Sequence, residues 1–335
     1  MIPTKKSLVK FTKSNEFVVL CVFIAVAFLF GFINPAFFTV RNFYDLLQSI
    51  GVNGIFACGV MLVIINGGID LSFMAISIGA AYITTRGLIA VGFDGPIIVM
   101  FAISGVIGML FGLCNSFLIS KFKIPIFIVT ISIANVIRGL VMAFVGNEYV
   151  PSSQMPSCTV EFSRRFWFNA VDATGSQYGL HFSVFITFGI MLFTAFILKY
   201  TLIGRGVYAL GGDAVSAERI GYNLKRLRNF IYGYAGMLAG IAGIVYVSNN
   251  RMADPVSFQG EELTVIAALV MGGVKITGGK GSMFGVLLGL LLTQMINNNL
   301  VLIKVPSYWQ RFTFGCLVIV AVLFQALRER KQAKL

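Results

Sequence analysis

Long apolar runs separated by short polar joints recur from one end of the chain to the other. Ten such runs can be drawn, roughly Phe17 to Phe38, Leu46 to Ile65, Ile69 to Val91, Pro96 to Ile119, Pro125 to Val145, Leu180 to Leu198, Asn229 to Ser248, Glu262 to Val274, Gly281 to Leu302 and Tyr308 to Leu327. A helix rising about 1.5 Å per residue needs about 20 apolar residues to cross the hydrocarbon of a bilayer, and most of the runs meet that length. The eighth is short and the third carries charges. The pattern predicts an all-α polytopic membrane protein of about ten transmembrane helices, some short or broken, with both termini in the cytoplasm. Residues 1–335 form one membrane domain, with a cytoplasmic loop over about 199–228 and an external loop over about 146–179.

Composition agrees: 57% of residues are hydrophobic and 12% charged, against roughly 45–50% and about 25% in soluble domains. The net charge of +13 does not mark a nucleic-acid binder, because most basic residues fall on alternate joints. The N-terminal tail, Lys121 with Lys123, the Lys199 to Arg228 loop, Lys275 with Lys280, and the C-terminal stretch "RERKQAK" hold most of the 26, as the positive-inside rule requires of cytoplasmic segments. The tail before the first run reads as a retained signal anchor. Cys21, Cys58, Cys114 and Cys316 lie in apolar runs and Cys158 in a loop, with no metal-ligand spacing.

Glycine pairs punctuate the joints. The stretch "KITGGKGSMFG" at Lys275 to Gly285 resembles a phosphate-binding loop but fails its pattern. Gly281 follows Lys280 where a hydroxyl should hold Mg²⁺, and Val274 stands where the first glycine belongs. Two segments, "NGGIDLS" at Asn66 to Ser72 and "MGGVKIT" at Met271 to Thr277, share glycine pair, β-branched, charged, aliphatic and hydroxyl residues in order. "KIP" at Lys123 to Pro125 returns as "KVP" at Lys304 to Pro306, with one fewer pass between the second pair of motifs. These features predict an imperfect internal repeat and helix breaks for gating at Gly67, Gly68, Asp70, Gly272, Gly273, Gly278 and Gly279, since irregular backbone at membrane depth needs protein or a water-filled cavity around it.

Asp70 opens an apolar run, where a carboxylate lines a cavity or pairs with a neighbour. No other acid lies in mid-membrane, which argues against a proton-coupled carrier. The remaining polar groups inside the passes are mostly amides, and amides donate and accept together, as a neutral hydroxyl-rich solute requires. Asn53, Asn66, Asn115, Gln294 and Asn297 are therefore candidate path residues, each also able to serve simply as an interhelical hydrogen bonder. The one histidine, His181, has no nucleophile or metal set around it, so no catalytic or metal site is expected.

The segment "GRGVYALGGDAVSAERIGYNLKRLRN" at Gly204 to Asn229 is long, polar and basic. It contains a short helical piece from Ala214 to Ile220 with Asp213 as N-cap and a glycine at its end, and it reads as an exposed peg for a cytoplasmic partner. Here the sequence resembles the ribose-type permease subunits of bacterial ATP-binding-cassette importers. "GGIDLS" at Gly67 to Ser72, "ALGGDAVSAERIGYN" at Ala209 to Asn223, the glycine-rich run Gly272 to Ser282, and Tyr308, Trp309 and Gln310 ahead of the last run match that family's motifs in its order. The resemblance implies coupling to an ATPase through Gly211, Gly212, Asp213, Ala217 and Gly221. It implies a second permease chain, a cytoplasmic ATP-binding subunit that carries ATP and Mg²⁺, and an extracytoplasmic solute-binding protein. It further implies an inner-membrane chain amid lipid that binds no cofactor of its own and imports a monosaccharide such as ribose or another pentose or hexose. A nucleoside or autoinducer permease of the same importer class is the alternative.

Overall fold

The computed structural model describes residues 15–171 and 177–306, with 308–310, 312, 313, 315, 316, 319 and 323 beyond them. The tenth expected run thus lies largely outside the described residues. Among the described residues, eight helices are long and apolar enough to cross a membrane: α1 (Asn15–Ile33), α2 (Val40–Ile65), α3 (Phe73–Ala90), α4 (Ile97–Phe122), α5 (Ile126–Leu140, continued by the π-helical turn Val141–Val145), α7 (Phe182–Tyr200), α10 (Leu224–Asn250) and α12 (Met283–Leu302). Shorter helices are α6 (Ser157–Ser163), α8 (Leu202–Gly212), α9 (Ala214–Arg219) and α11 (Glu262–Met271), the last being the short eighth run. An antiparallel hairpin of β1 (Phe166–Val171) and β2 (Gln177–His181) stands before α7.

The helix boundaries refine the run boundaries for local reasons. The first helix stops at Ile33, where the Asn34 side chain caps a following 3-10 turn that starts at Pro35. α3 starts at Phe73, not Ile69, because the Gly67–Ser72 stretch is a non-helical joint. The polar segment read as a loop over 199–228 is mostly helical: α8, α9 and the first turns of α10 occupy it, capped by Thr201, Asp213 and Asn223 side chains. Charged residues such as Lys225 and Arg226 lengthen α10 beyond its apolar portion, and composition alone hid that extension.

Helices α2 and α10 form the buried centre. α4 runs antiparallel to α10 in backbone contact. A Cβ at Gly108 would meet the Gly236 carbonyl oxygen at 2.2 Å, and one at Gly112 would meet that of Tyr232 at 2.1 Å. The facing pairs Gly108/Gly112 and Gly236/Gly240 are spaced one turn apart, and small residues at that spacing are what lets membrane helices approach closely without a hydrophobic driving force. α11 and α12 meet the same way through Gly272, Gly285 and Gly289. The other faces of α1, α4 and α5 carry exposed apolar side chains, among them Phe28, Leu110 and Ile128.

The chain defines two ends of this bundle. At the basic end lie the Asn66–Ser72 joint, the α4–α5 turn, α8, α9 and the Gly272–Ser282 loop. At the hairpin end lie β1, β2, α6 and the turns after α3, α10 and α12.

Candidate functional site

The basic end is organised by helix-ending turns. α2 closes with Gly67 at φ +87°, whose N–H bonds to Ile64 while that of Gly68 reaches back to Val63. α11 closes with Gly273 at φ +88°, and there Gly273 bonds to Val270 and Val274 to Leu269. Both are the left-handed helix ending that favours glycine. The two turns match with an offset of one residue from the sequence motif: Asn66-Gly67-Gly68 corresponds to Gly272-Gly273-Val274. Lys123 and Lys304 likewise take positive φ, 53° and 59°, ahead of their Ile-Pro and Val-Pro pairs. The glycine turns share the basic end, whereas the lysine turns lie at opposite ends. The motifs are repeated turn chemistry, and their spacing does not follow from one unit duplicated in a single orientation.

Three of the candidate glycine segments converge. A Cβ on Gly211, at the end of α8, would stand 1.6 Å from the Ile65 carbonyl oxygen and 2.9 Å from the Gly279 nitrogen. The Gly279 N–H donates to the Ile65 carbonyl at 2.9 Å. A Cβ on Gly278 would meet the carbonyl oxygens of Gly211 at 2.6 Å and Ile65 at 2.9 Å, and Gly67 lies 3.0 Å away. Tyr208 of α8 donates to the Gly281 carbonyl. The end of α8, the end of α2 and the Gly278-Gly279 loop therefore touch backbone to backbone. Amides that a phosphate cradle would need are committed inside the junction, Gly279 to Ile65 and Gly278 to Lys275.

α9 follows directly. Asp213 accepts hydrogen bonds from the Val215 N–H and the Ser216 hydroxyl, and those bonds hold its carboxyl below the ordinary carboxylate range. At the other end Gly221 has φ +95°, with its N–H bonded to Glu218 and that of Tyr222 bonded to Ala217. The left-handed turn expected there is present. Ala217, one of the residues through which the resemblance implies coupling, is only 1% exposed and packs into its own chain. The outward face of α9 is Val215, Ser216, Glu218 and Arg219, continued by Ile220 at its C-cap.

Asp70 is buried, and its Oδ1 accepts from the Ser72 N–H and the Ser72 hydroxyl, both at 2.6 Å. The Asn115 amide donates to the Ser72 oxygen at 2.7 Å. This chain ties α4 to the joint before α3. The five candidate path amides are not brought together: Asn115 serves that chain, Asn66 ends α2, Asn53 lies on α2, and Gln294 and Asn297 lie on α12. None of the five lines either of the two cavities below.

A cavity of about 1580 Å³ opens at the basic end among α4, α5, the α9–α10 turn and the glycine joint. A second, of about 550 Å³, opens at the hairpin end, lined by Gln48, Ser49, Ser163, Phe166, His181, Ser183, Asn249 and Arg251. Its groups are fixed. Gln48 donates to the Gly179 carbonyl, Arg251 to the Ser163 hydroxyl, and Asn298 to Ser49. His181 accepts the Ser183 N–H at Nδ1 and donates from Nε2 to the Phe162 carbonyl, a neutral tautomer consistent with burial pushing its pKa below the ordinary value. Hydroxyl, amide and guanidinium groups around one aqueous mouth suit a polyhydroxylated solute. Sequence reading passed over Gln48, Ser49, Asn249 and Arg251 because they stand in short polar stretches at the ends of apolar runs far apart in the chain, and only the fold gathers them.

The geometry is that of a helical bundle with a cavity at each end and peripheral helices in backbone contact with its glycine turns, and comparison with known proteins places it. The family described as branched-chain amino acid transport system / permease component matches residues 42–322. The chain belongs to that family and is a multi-pass inner-membrane protein. It is 32% identical to the ribose import permease protein of Haemophilus influenzae, over 93% of this chain and 92% of that one. Identity with the ribose import permease protein of Bacillus subtilis is 31%, covering 87% and 86%, and with the L-arabinose ABC transporter permease protein of Azospirillum brasilense 30%, covering 89% and 84%. No solved structure matches the chain.

Proposed function

We propose that this chain is the membrane-spanning permease of an ATP-driven importer for a small, neutral, hydroxyl-rich sugar, a pentose or hexose. The observation that carries the reading is the junction of Gly211 with Ile65 and Gly278. A short helix with an exposed face of apolar and charged residues follows a helix end that is fastened, backbone to backbone, to the two broken joints of the bundle. The relatives, permeases of ribose import and of L-arabinose transport, supply the solute class.

In this reading the basic end faces the cytoplasm, as the positive-inside rule directs. A partner ATP-binding subunit, which carries ATP and Mg²⁺, engages α9. When it closes, α9 and the end of α8 move as one piece and displace the α2 and Gly278 turns, so that a shared path with a second permease chain opens to alternate sides. The 550 Å³ cavity receives the sugar from an external solute-binding protein, with the Gln48 and Asn249 amides and the Arg251 guanidinium meeting its hydroxyls. The chain supplies a gate and no reaction centre.

The test is reconstitution with the ATP-binding subunit and solute-binding protein in vesicles. ATP inside should drive uptake of labelled ribose or arabinose, unlabelled pentose should compete, and adenosine should not. The isolated chain should not hydrolyse ATP. Competition by adenosine with none from pentoses would replace the sugar reading with a nucleoside one.

A further inference from the structure

The 1580 Å³ cavity at the basic end has no part in the path just described, and its chemistry is unlike that of the other cavity. Four cations line it, Lys121 and Lys123 from the end of α4 and Lys225 and Arg228 from the start of α10, against one acid, Glu218. Among the described residues none of the four has a carboxylate partner within ion-pair distance. Two lining groups are buried and unpartnered, the Ser120 hydroxyl and the Arg228 Nε. An N–H withdrawn from water without an acceptor is costly, and an anion at this wall would accept from both.

Beside the cations the lining is apolar. Leu113, Phe117, Ile126 and Phe127 belong to it, and Phe117 and Phe127 remain 52% and 50% exposed on helices whose outward faces are apolar. Lys121 lies over the Phe117 ring, 5.1 Å from its centre, placing cation and ring at one level. The cavity thus opens sideways toward the membrane along α4 and α5 while its cations sit at the basic margin. A soluble anion needs no such wall; an acidic protein segment would leave it unfilled.

We infer that this cavity holds an anionic phospholipid, its phosphate among Arg228, Lys225 and the α4 lysines and its acyl chains along Phe117 and Phe127. Basic pockets between helices on the cytoplasmic side recognise anionic headgroups in this way. Gly67, Gly68 and Ile276 also line the cavity, so a bound lipid lies against the α2 turn and binding will bear on how freely that turn moves.

Native mass spectrometry of the delipidated full chain, titrated with phosphatidylglycerol or phosphatidylcholine of the same acyl chains, tests this without any transport assay. Phosphatidylglycerol should bind at least tenfold more tightly. Lys225→Gln with Arg228→Gln should remove that preference, Lys123→Gln alone should weaken it severalfold, and Arg164→Gln with Arg165→Gln at the hairpin end should leave it intact. Soluble glycerol phosphate should compete weakly. Equal binding of the two lipids, an unchanged preference in both basic-end variants, or full competition by glycerol phosphate would overturn the proposal. So would binding of the ATP-binding subunit, and not of lipid, that depends on these cations.

Discussion

The two ends of the bundle are held by different means. At the basic end the decisive contacts are backbone on backbone: Gly211 on Ile65, Gly278 on Gly211, Gly279 bonded to Ile65. At the hairpin end they are side-chain locks. Arg138 pairs with Glu262 at 2.7 Å, tying α5 to α11, Tyr82 donates to the Glu148 carbonyl, and Arg251 donates to Ser163, beside one backbone bridge between Val150 and Ala253. Backbone contacts without side chains give no slack, so a displacement of α8 passes at once to the turns it touches. Side-chain locks tie down an end that need only present a mouth. In the reading proposed, one end transmits and the other stays.

The strongest way to break this contrast is to wedge the junction. Gly278→Val adds a branched side chain at φ +89°, with backbone oxygens 2.6 and 2.9 Å from its Cβ. Strain of about 3 kcal/mol or more follows, and vesicle uptake should fall roughly a hundredfold; near-normal uptake would show that the junction tolerates separation. At the hairpin end, Arg138→Gln leaves the largely buried Glu262 without its partner. Unfolding in detergent should shift by about 2–3 kcal/mol, while the affinity for the ATP-binding subunit stays unchanged. A loss of that affinity would couple the ends in a way the contrast denies.

The smallest effect is a pH dependence confined to the hairpin end. His181 is held neutral, with Nδ1 used as an acceptor and its pKa lowered by burial. Its contribution is therefore complete above the ordinary histidine value of about 6.5 and is lost as pH falls through the lowered one. Hydrogen exchange of β1 and β2, corrected for intrinsic rates, should show protection declining at acid pH, with the Gly67 and Gly278 turns unaffected and the dependence flattened in His181→Gln. A pH-independent hairpin would remove the histidine lock.

Much of the bundle was legible in the chain because lipid imposes a length and a hydropathy on each pass. Glycines that end helices, such as Gly67 and Gly221, announce themselves through the conformation they alone adopt easily. What did not show was adjacency. Nothing local says that Gly211 rests on Ile65, nor that Ala217 turns inward while Val215 and Ile220 turn out, because six residues of helix carry too few apolar positions to define a face. The hairpin and α6 were hidden in a stretch poor in apolar periodicity, and amide type alone does not tell which polar residues the fold gathers around one cavity, as it gathers Gln48, Asn249 and Arg251.

Gly211 and Gly212 are neighbours in sequence and opposites in environment, which makes them the sharpest probe of transmission. A Cβ on Gly211 strikes the Ile65 carbonyl, whereas one on Gly212 meets nothing within 4 Å. ATP-driven uptake of labelled ribose should be measured for Gly211→Ala and Gly212→Ala in the reconstituted importer, alongside recovery of the ATP-binding subunit on each chain. The account predicts that Gly211→Ala loses uptake while retaining the subunit, and that Gly212→Ala transports as the parent does. Equal uptake by the two variants would contradict it.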